Sequence, residues 1–189
     1  MDADFSIELG ADDPVLDFPW ADPSGKLAYV DAKRHPELIA RIEETHKFPE
    51  LATFLQAINS SHSAVESAKC DAWSTTELSP EEDAYNASRK VASYIDLVFS
   101  ERVRQTSFEA HKEFAQKWAA LLQRAPEIAA SAEICLRRCY FVEPRDTTEG
   151  FYFTLYVSGY ADDAPAAQKN WAIGLNLAGN AILQLSASQ

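Results

Sequence analysis

The residues best suited to chemistry in this chain fall at strand-like spacing. Tyr152, Thr154, Tyr156, Ser158 and Tyr160 occupy every second position, and Phe151, Phe153, Leu155 and Val157 fill the gaps. Side chains alternate across a strand, so one face of this segment is apolar and the other carries tyrosines. The same alternation separates Lys90, Tyr94 and Asp96 from Val91, Ile95, Leu97 and Phe99. Lys69 and Asp71 take the polar side of residues 63–73. Of the adjacent Arg137 and Arg138, one must face the polar side whichever register holds. Lys69, Asp71, Tyr94, Asp96, Arg137, Arg138, Tyr152, Tyr156 and Tyr160 therefore define a candidate binding face.

Tyrosine offers a large contact area with a polar tip, and arginine pairs bidentately with carboxylates or phosphates. Such a face suits a partner protein or a small acidic ligand. In the opposing reading, residues 1–60 fold across it, Leu16, Phe18 and Trp20 cover the rings, and nearby acids neutralise the bases. An intermediate arrangement leaves a cleft at the edge of the covering arm, and that cleft is then the site.

A different class of function uses the same residues: Asp71 or Asp96 as base, a tyrosine as acid, and Arg137 or Arg138 holding an anionic substrate. No catalytic motif supports it. A Gly-rich phosphate loop, a GxSxG elbow and a dinucleotide fingerprint are all missing, and six glycines leave little material for one. No cofactor is expected. His35, His46 and His62 have no metal-ligand spacing, so no metal site is expected either. His111 falls on the apolar stripe of a helix, beside Phe108, Ala115 and Trp118, and reads as a core-boundary histidine with one hydrogen bond. The run Gly150-Phe151-Tyr152-Phe153 has the aromatic rhythm of an RNA-recognition strand, but Glu149 stands where that strand carries a base.

The net charge of −12 opposes nucleic-acid binding. Asp2, Asp4, Glu8, Asp12, Asp13, Asp17 and Asp22 precede the first basic residue, Lys26. This acidic stretch is either an arm that docks on a basic surface or a solvated extension. Cys70, Cys135 and Cys139 cannot all pair within one chain. On a strand, Cys135 and Cys139 stand about 13 Å apart, too far for a disulfide. Buried, reduced thiols are expected. No segment approaches the roughly 20 apolar residues of a membrane helix, and the first residues do not resemble a signal peptide. The expectation is a cytoplasmic protein with no membrane or nucleic-acid partner.

The elements that must position these residues follow from periodicity and punctuation. The length and apolar content suit a single domain, 1–189. Residues 1–35 read as an acidic arm with a short β-like piece at 5–9. Pro36 and Pro49 open two short helices within 36–60. Ser79-Pro80-Glu81-Glu82 and Thr106-Ser107-Phe108-Glu109 read as capping boxes; the first leads into one turn, the second into a helix ending before Pro126. Residues 133–142 and 151–160 form a hairpin with a longer loop, and Asp163-Ala164-Pro165 starts a long helix whose stripe is Trp171, Leu175, Ala178, Ile182 and Leu185. From 63 to 187 the order is ββαββα. The expected fold is α+β: a four-stranded, mostly antiparallel sheet built from two ββα units, both long helices on one face. The leading functional expectation is an intracellular, non-catalytic binding protein, with the acid-base enzyme as alternative. A two-fold homodimer through a sheet edge or through this face is a third arrangement.

Overall fold

The computed structural model describes residues 1–79, 82 and 85–188. The elements in chain order are β1 (Asp2–Glu8), β2 (Val15–Phe18), a 3-10 helix (Pro36–Arg41), α1 (Glu44–Lys47), α2 (Pro49–Ile58), β3 (Val65–Thr75), β4 (Arg89–Phe99), α3 (Arg102–Gln105), α4 (Phe108–Leu122), β5 (Ala130–Glu143), β6 (Asp146–Ala161) and α5 (Ala164–Ser186). The turn expected after Ser79 lies in part outside the described residues.

The class is mixed α+β, and the sheet is open and mostly antiparallel, but it has six strands rather than four. The order is β1-β5-β6-β4-β3, with β2 also on β5. The extra strands come from the acidic N-terminal stretch. β1 pairs in parallel with β5 from Asp2↔Ser131 to Glu8↔Arg137, and β2 resumes the same edge at Val15↔Arg138. A parallel edge strand needs a distant partner, so nothing in the local pattern of residues 1–20 announces it. The β5–β6 connection is also tighter than expected. Glu143 pairs directly with Asp146, leaving Pro144 and Arg145 as the turn.

β3 contains a bulge between Ser67 and Lys69, and one extra residue reverses which parity faces which side. Val65 and Ser67 therefore share the helix side with Cys70 and Ala72, while Lys69, Asp71 and Trp73 face the other way. The bulge explains why simple alternation cannot account for both Val65 and Trp73.

One face of the sheet is covered by α4, α5 and α2. Trp118 and Trp171 are fully buried at the centre of this layer, and each indole nitrogen is satisfied. Trp118 Nε1 donates to the Ala178 carbonyl at 3.2 Å, and Trp171 Nε1 to Ser93 Oγ at 3.0 Å. α5 lies so close to β6 that a Cβ at Gly159 would stand 2.1 Å from the Trp171 nitrogen. Leu51, Phe54, Leu55 and Ile58 of α2 join this same core, so residues 36–58 do not cross the open face. Ser107, not Thr106, caps α4, accepting from the Ala110 amide at 3.2 Å. No helix among the described residues is long and apolar enough to cross a membrane.

Candidate functional site

The face opposite the helices is ordered in rows across the strands. One row runs Asp4, Glu133, Tyr156, Tyr94, Asp71, and the next runs Ser6, Cys135, Thr154, Asp96, Lys69. A third begins Glu8, Arg137, Tyr152. Lys69, Asp71, Tyr94, Asp96, Arg137, Tyr152, Tyr156 and Tyr160 all stand on this face. Arg138 does not: it pairs with Phe151 on the helix side, and its guanidinium donates to the Gly10 carbonyl at 2.7 Å, fastening the loop between β1 and β2.

The chain covers both ends of the face. At one end Leu16, with Phe18 and Trp20 beside it, packs on Ala68, Val98, Cys139, Phe141 and Tyr152, which leaves Tyr152 only 3% exposed. At the other end Tyr85 stacks on Tyr160 with centroids 4.0 Å apart. Glu82 accepts from the Tyr160 hydroxyl at 2.8 Å and from Lys90 Nζ at 2.6 Å. Tyr160 is 2% exposed. These two tyrosines are therefore structural, and alternation alone could not separate them from Tyr94 and Tyr156, which stay half-buried between the covers.

Arg137 is wholly engaged by its own chain. Nε donates to Glu8 Oε2 at 2.7 Å, and NH2 lies 2.6 Å from the same oxygen. NH1 donates to Thr154 Oγ1 at 2.9 Å and to the Tyr156 hydroxyl at 3.1 Å. Burial acts to lower its pKa, but the bonds to Tyr156 and Glu8 outweigh that and raise it. Thr154 relays this network by donating to Asp96 Oδ1 at 2.7 Å. Asp96 is 7% exposed, and burial pushes its carboxyl up to about 6 against the opposing pull of Thr154, Lys69 and Arg137. Burial also raises the Tyr94 hydroxyl, helped by Asp96 and Asp71.

Lys69 is the exception. Its ammonium lies over the rings of Trp20 and Tyr94, 5.1 and 5.7 Å from the centroids, and it forms no ion pair among the described residues. Beside it a cleft of about 440 Å³ opens between the arm, residues 41–44 and the β3 edge. Asp71 is opposite Tyr94, and Asp96 is opposite Lys69, so the two aspartates are diagonal neighbours with a cation between them.

Glu8, Glu133 and Cys135 bring ligand atoms within 4.8 Å of one another. A cation fits them poorly. Glu8 is already held by the Arg137 guanidinium, and burial pushes the Cys135 thiol up to about 12. His111 is fully buried, Nδ1 bonded to the Ser107 carbonyl at 2.8 Å, among the rings of Phe99, Phe151 and Phe153.

Sequence reasoning missed Glu8 as the partner of Arg137 and Thr154 as the link to Asp96. Thr154 was legible as an outward residue; the Glu8 contact spans 129 positions and leaves no local signal. No protein-family model, curated protein or solved structure is found to match this chain.

Proposed function

We propose that this chain is a non-catalytic binding protein whose site is the strip of sheet face between its two covers, centred on Lys69, Tyr94 and Tyr156. The observation that supports this most is the state of Lys69. A half-buried lysine whose ammonium lies against two rings, with no ion pair among the described residues and only a through-space pull on the buried Asp96, is a cation open to a ligand in a chain of net charge −12. Cation and rings together suit a carboxylate attached to an apolar or aromatic body. That group belongs to a partner protein or to a small acidic ligand. Arg137 braces the strip from below, because Glu8, Thr154 and Tyr156 already use its donors.

The acid-base enzyme remains the second reading, and the raised pKa of Asp96 is what favours it. Against it, Asp96 is nearly inaccessible and already bonded to Thr154. Under the enzyme reading Asp96→Asn abolishes turnover and leaves ligand binding intact. Under the binding reading Tyr156→Ala weakens association and no single carboxylate is decisive.

Site-specific photo-cross-linking in the protein's own cells tests the proposal. Trp73 is 36% exposed and shares the face with Lys69 and Asp71, whereas Ile173 is 37% exposed on α5 behind the sheet. A benzophenone side chain at 73 is expected to capture a partner or ligand that the same group at 173 does not. Equal capture at both positions, or none at either, contradicts the proposal. A product of twice the chain mass identifies the partner as a second copy.

A further inference from the structure

The cleft beside Lys69 has a built roof. In the arm, the Tyr29 amide donates to the Trp20 carbonyl at 2.8 Å, Ala21 bridges Ala28, and Gly25 turns the chain at φ 70°. Asp22 fixes this turn, accepting from the Leu27 amide at 2.7 Å and from the Ser24 hydroxyl. The small hairpin is pinned to the sheet by Trp20 Nε1, which donates to the Ala68 carbonyl at 2.6 Å. The space it encloses, about 440 Å³, is of the size that takes small molecules. Trp20, Leu27 and Ile42 give it apolar walls.

Its charges are the unusual part. Lys26, Arg41 and Lys69 line the cleft together with Glu43 and Glu44. None of these charged groups forms an ion pair or hydrogen bond among the described residues. Lys26, Arg41 and Glu43 are exposed, where solvent and salt screen them. Lys69 and Glu44 are half-buried, one of each sign. Glu44 acts on the cleft floor: after burial itself, it is the largest influence pushing the Cys70 thiol up to about 12.

A simple anion meets only part of this lining: three cations face it, but it leaves the half-buried Glu44 carboxylate without a countercharge. A simple cation would leave Lys69 opposed. A zwitterion is net neutral and meets both signs at once. We infer that the cleft binds a small zwitterion with an apolar body, the chemical class of the hydrophobic α-amino acids. Its carboxylate is taken by Lys69, its ammonium by Glu44, and its side chain by Trp20, Leu27 and Ile42. The inference rests on the reading of the chain as a binding protein and extends it from the open strip to the adjoining cleft through their shared Lys69.

The Trp20 indole N–H, bonded to Ala68, is the reporter. Its NMR resonance in the full-length protein is followed during titration with L-phenylalanine, 3-phenylpropionate and phenethylamine. L-Phenylalanine is expected to shift it saturably, with an affinity about tenfold or more above either singly charged analogue. Glu44→Gln should erase the advantage over 3-phenylpropionate, and Lys69→Met the advantage over phenethylamine. Since Lys69→Met also removes a contact to Trp20, Glu44→Gln carries the decision. If 3-phenylpropionate binds as well as phenylalanine, the cleft is an anion site and the inference is wrong. If no compound shifts the resonance, the inference also fails, and cross-linking from position 73 then decides separately whether the strip still binds. A saturable phenylalanine shift without that cross-linking supports the cleft and removes the strip.

Discussion

Lys69 stands directly across the β3–β4 pair from Asp96, yet its ammonium lies over the rings of Trp20 and Tyr94 and forms no ion pair with that carboxylate. The Asp96 carboxyl is left with the Thr154 hydroxyl as its hydrogen-bond donor. Burial then dominates, and its pKa stands at about 6.

That shift fixes a sign. A carboxyl with a raised folded pKa contributes stability below its unfolded value near 3.8, and the contribution is lost as pH rises through about 6. Asp96→Asn should therefore gain on the parent protein between pH 4 and 7, by roughly 2 kcal/mol relative to its value at pH 4. Urea denaturation of both proteins across that range measures it. A difference that does not change with pH contradicts the burial of a charged Asp96.

His111 has the opposite slope over nearly the same window. Burial holds its pKa down at about 4, so its contribution is present above the unfolded value near 6.5 and is lost as pH falls toward 4. The two groups partly cancel in the parent protein. His111→Leu should remove a loss of roughly 3 kcal/mol on acidification, leaving the Asp96 slope exposed. The same titration on His111→Leu checks this, and an unchanged pH profile is the contrary result.

Glu8 and Arg137 tie the parallel edge strand to the sheet. Replacing Glu8 by Gln leaves a largely buried guanidinium without its countercharge, which should cost about 1–3 kcal/mol given that Glu8 is partly solvated. The loss should be accompanied by faster hydrogen exchange in β1. Full stability in Glu8→Gln would mean that backbone pairing and the remaining ties, among them the Met1 ammonium on the Pro126 carbonyl at 2.8 Å and Gln123 on the Ala3 carbonyl at 2.9 Å, suffice to hold the edge.

The docking of α5 on β6 depends on the missing side chain at Gly159. Its Cβ would meet backbone atoms of Ala167 and Trp171, which cannot swing aside. Gly159→Ala should cost at least the 1–3 kcal/mol typical of overpacking, read as a lowered melting temperature. A melting temperature within error of the parent would show that α5 can ride up from the sheet.

Local pattern carried much of this architecture. The alternation at 151–160 placed Tyr152, Tyr156 and Tyr160 on one face, Pro49 and Pro165 marked helix starts close to where they occur, and the capping box at Thr106 missed the cap of α4 by one residue. Three features escaped because they depend on distant parts of the chain. β1 and β2 join the sheet in parallel at a partner more than a hundred residues away. The Ser67/Lys69 bulge shifts the parity of β3 without a Gly or Pro to mark it. The fate of each tyrosine depends on which end of the face the chain returns to cover, so identical residues at identical spacing divide into buried supports and half-open rings.

The most direct test of the central claim is native mass spectrometry of the full-length protein purified gently from its own cells, beside the double variant Lys69→Met/Tyr156→Ala prepared identically. The parent protein should carry a stoichiometric small adduct or partner chain that the variant lacks, with both proteins melting normally. A bare parent mass, or the same adduct on both, would contradict the assignment of the Lys69–Tyr156 strip as the binding site.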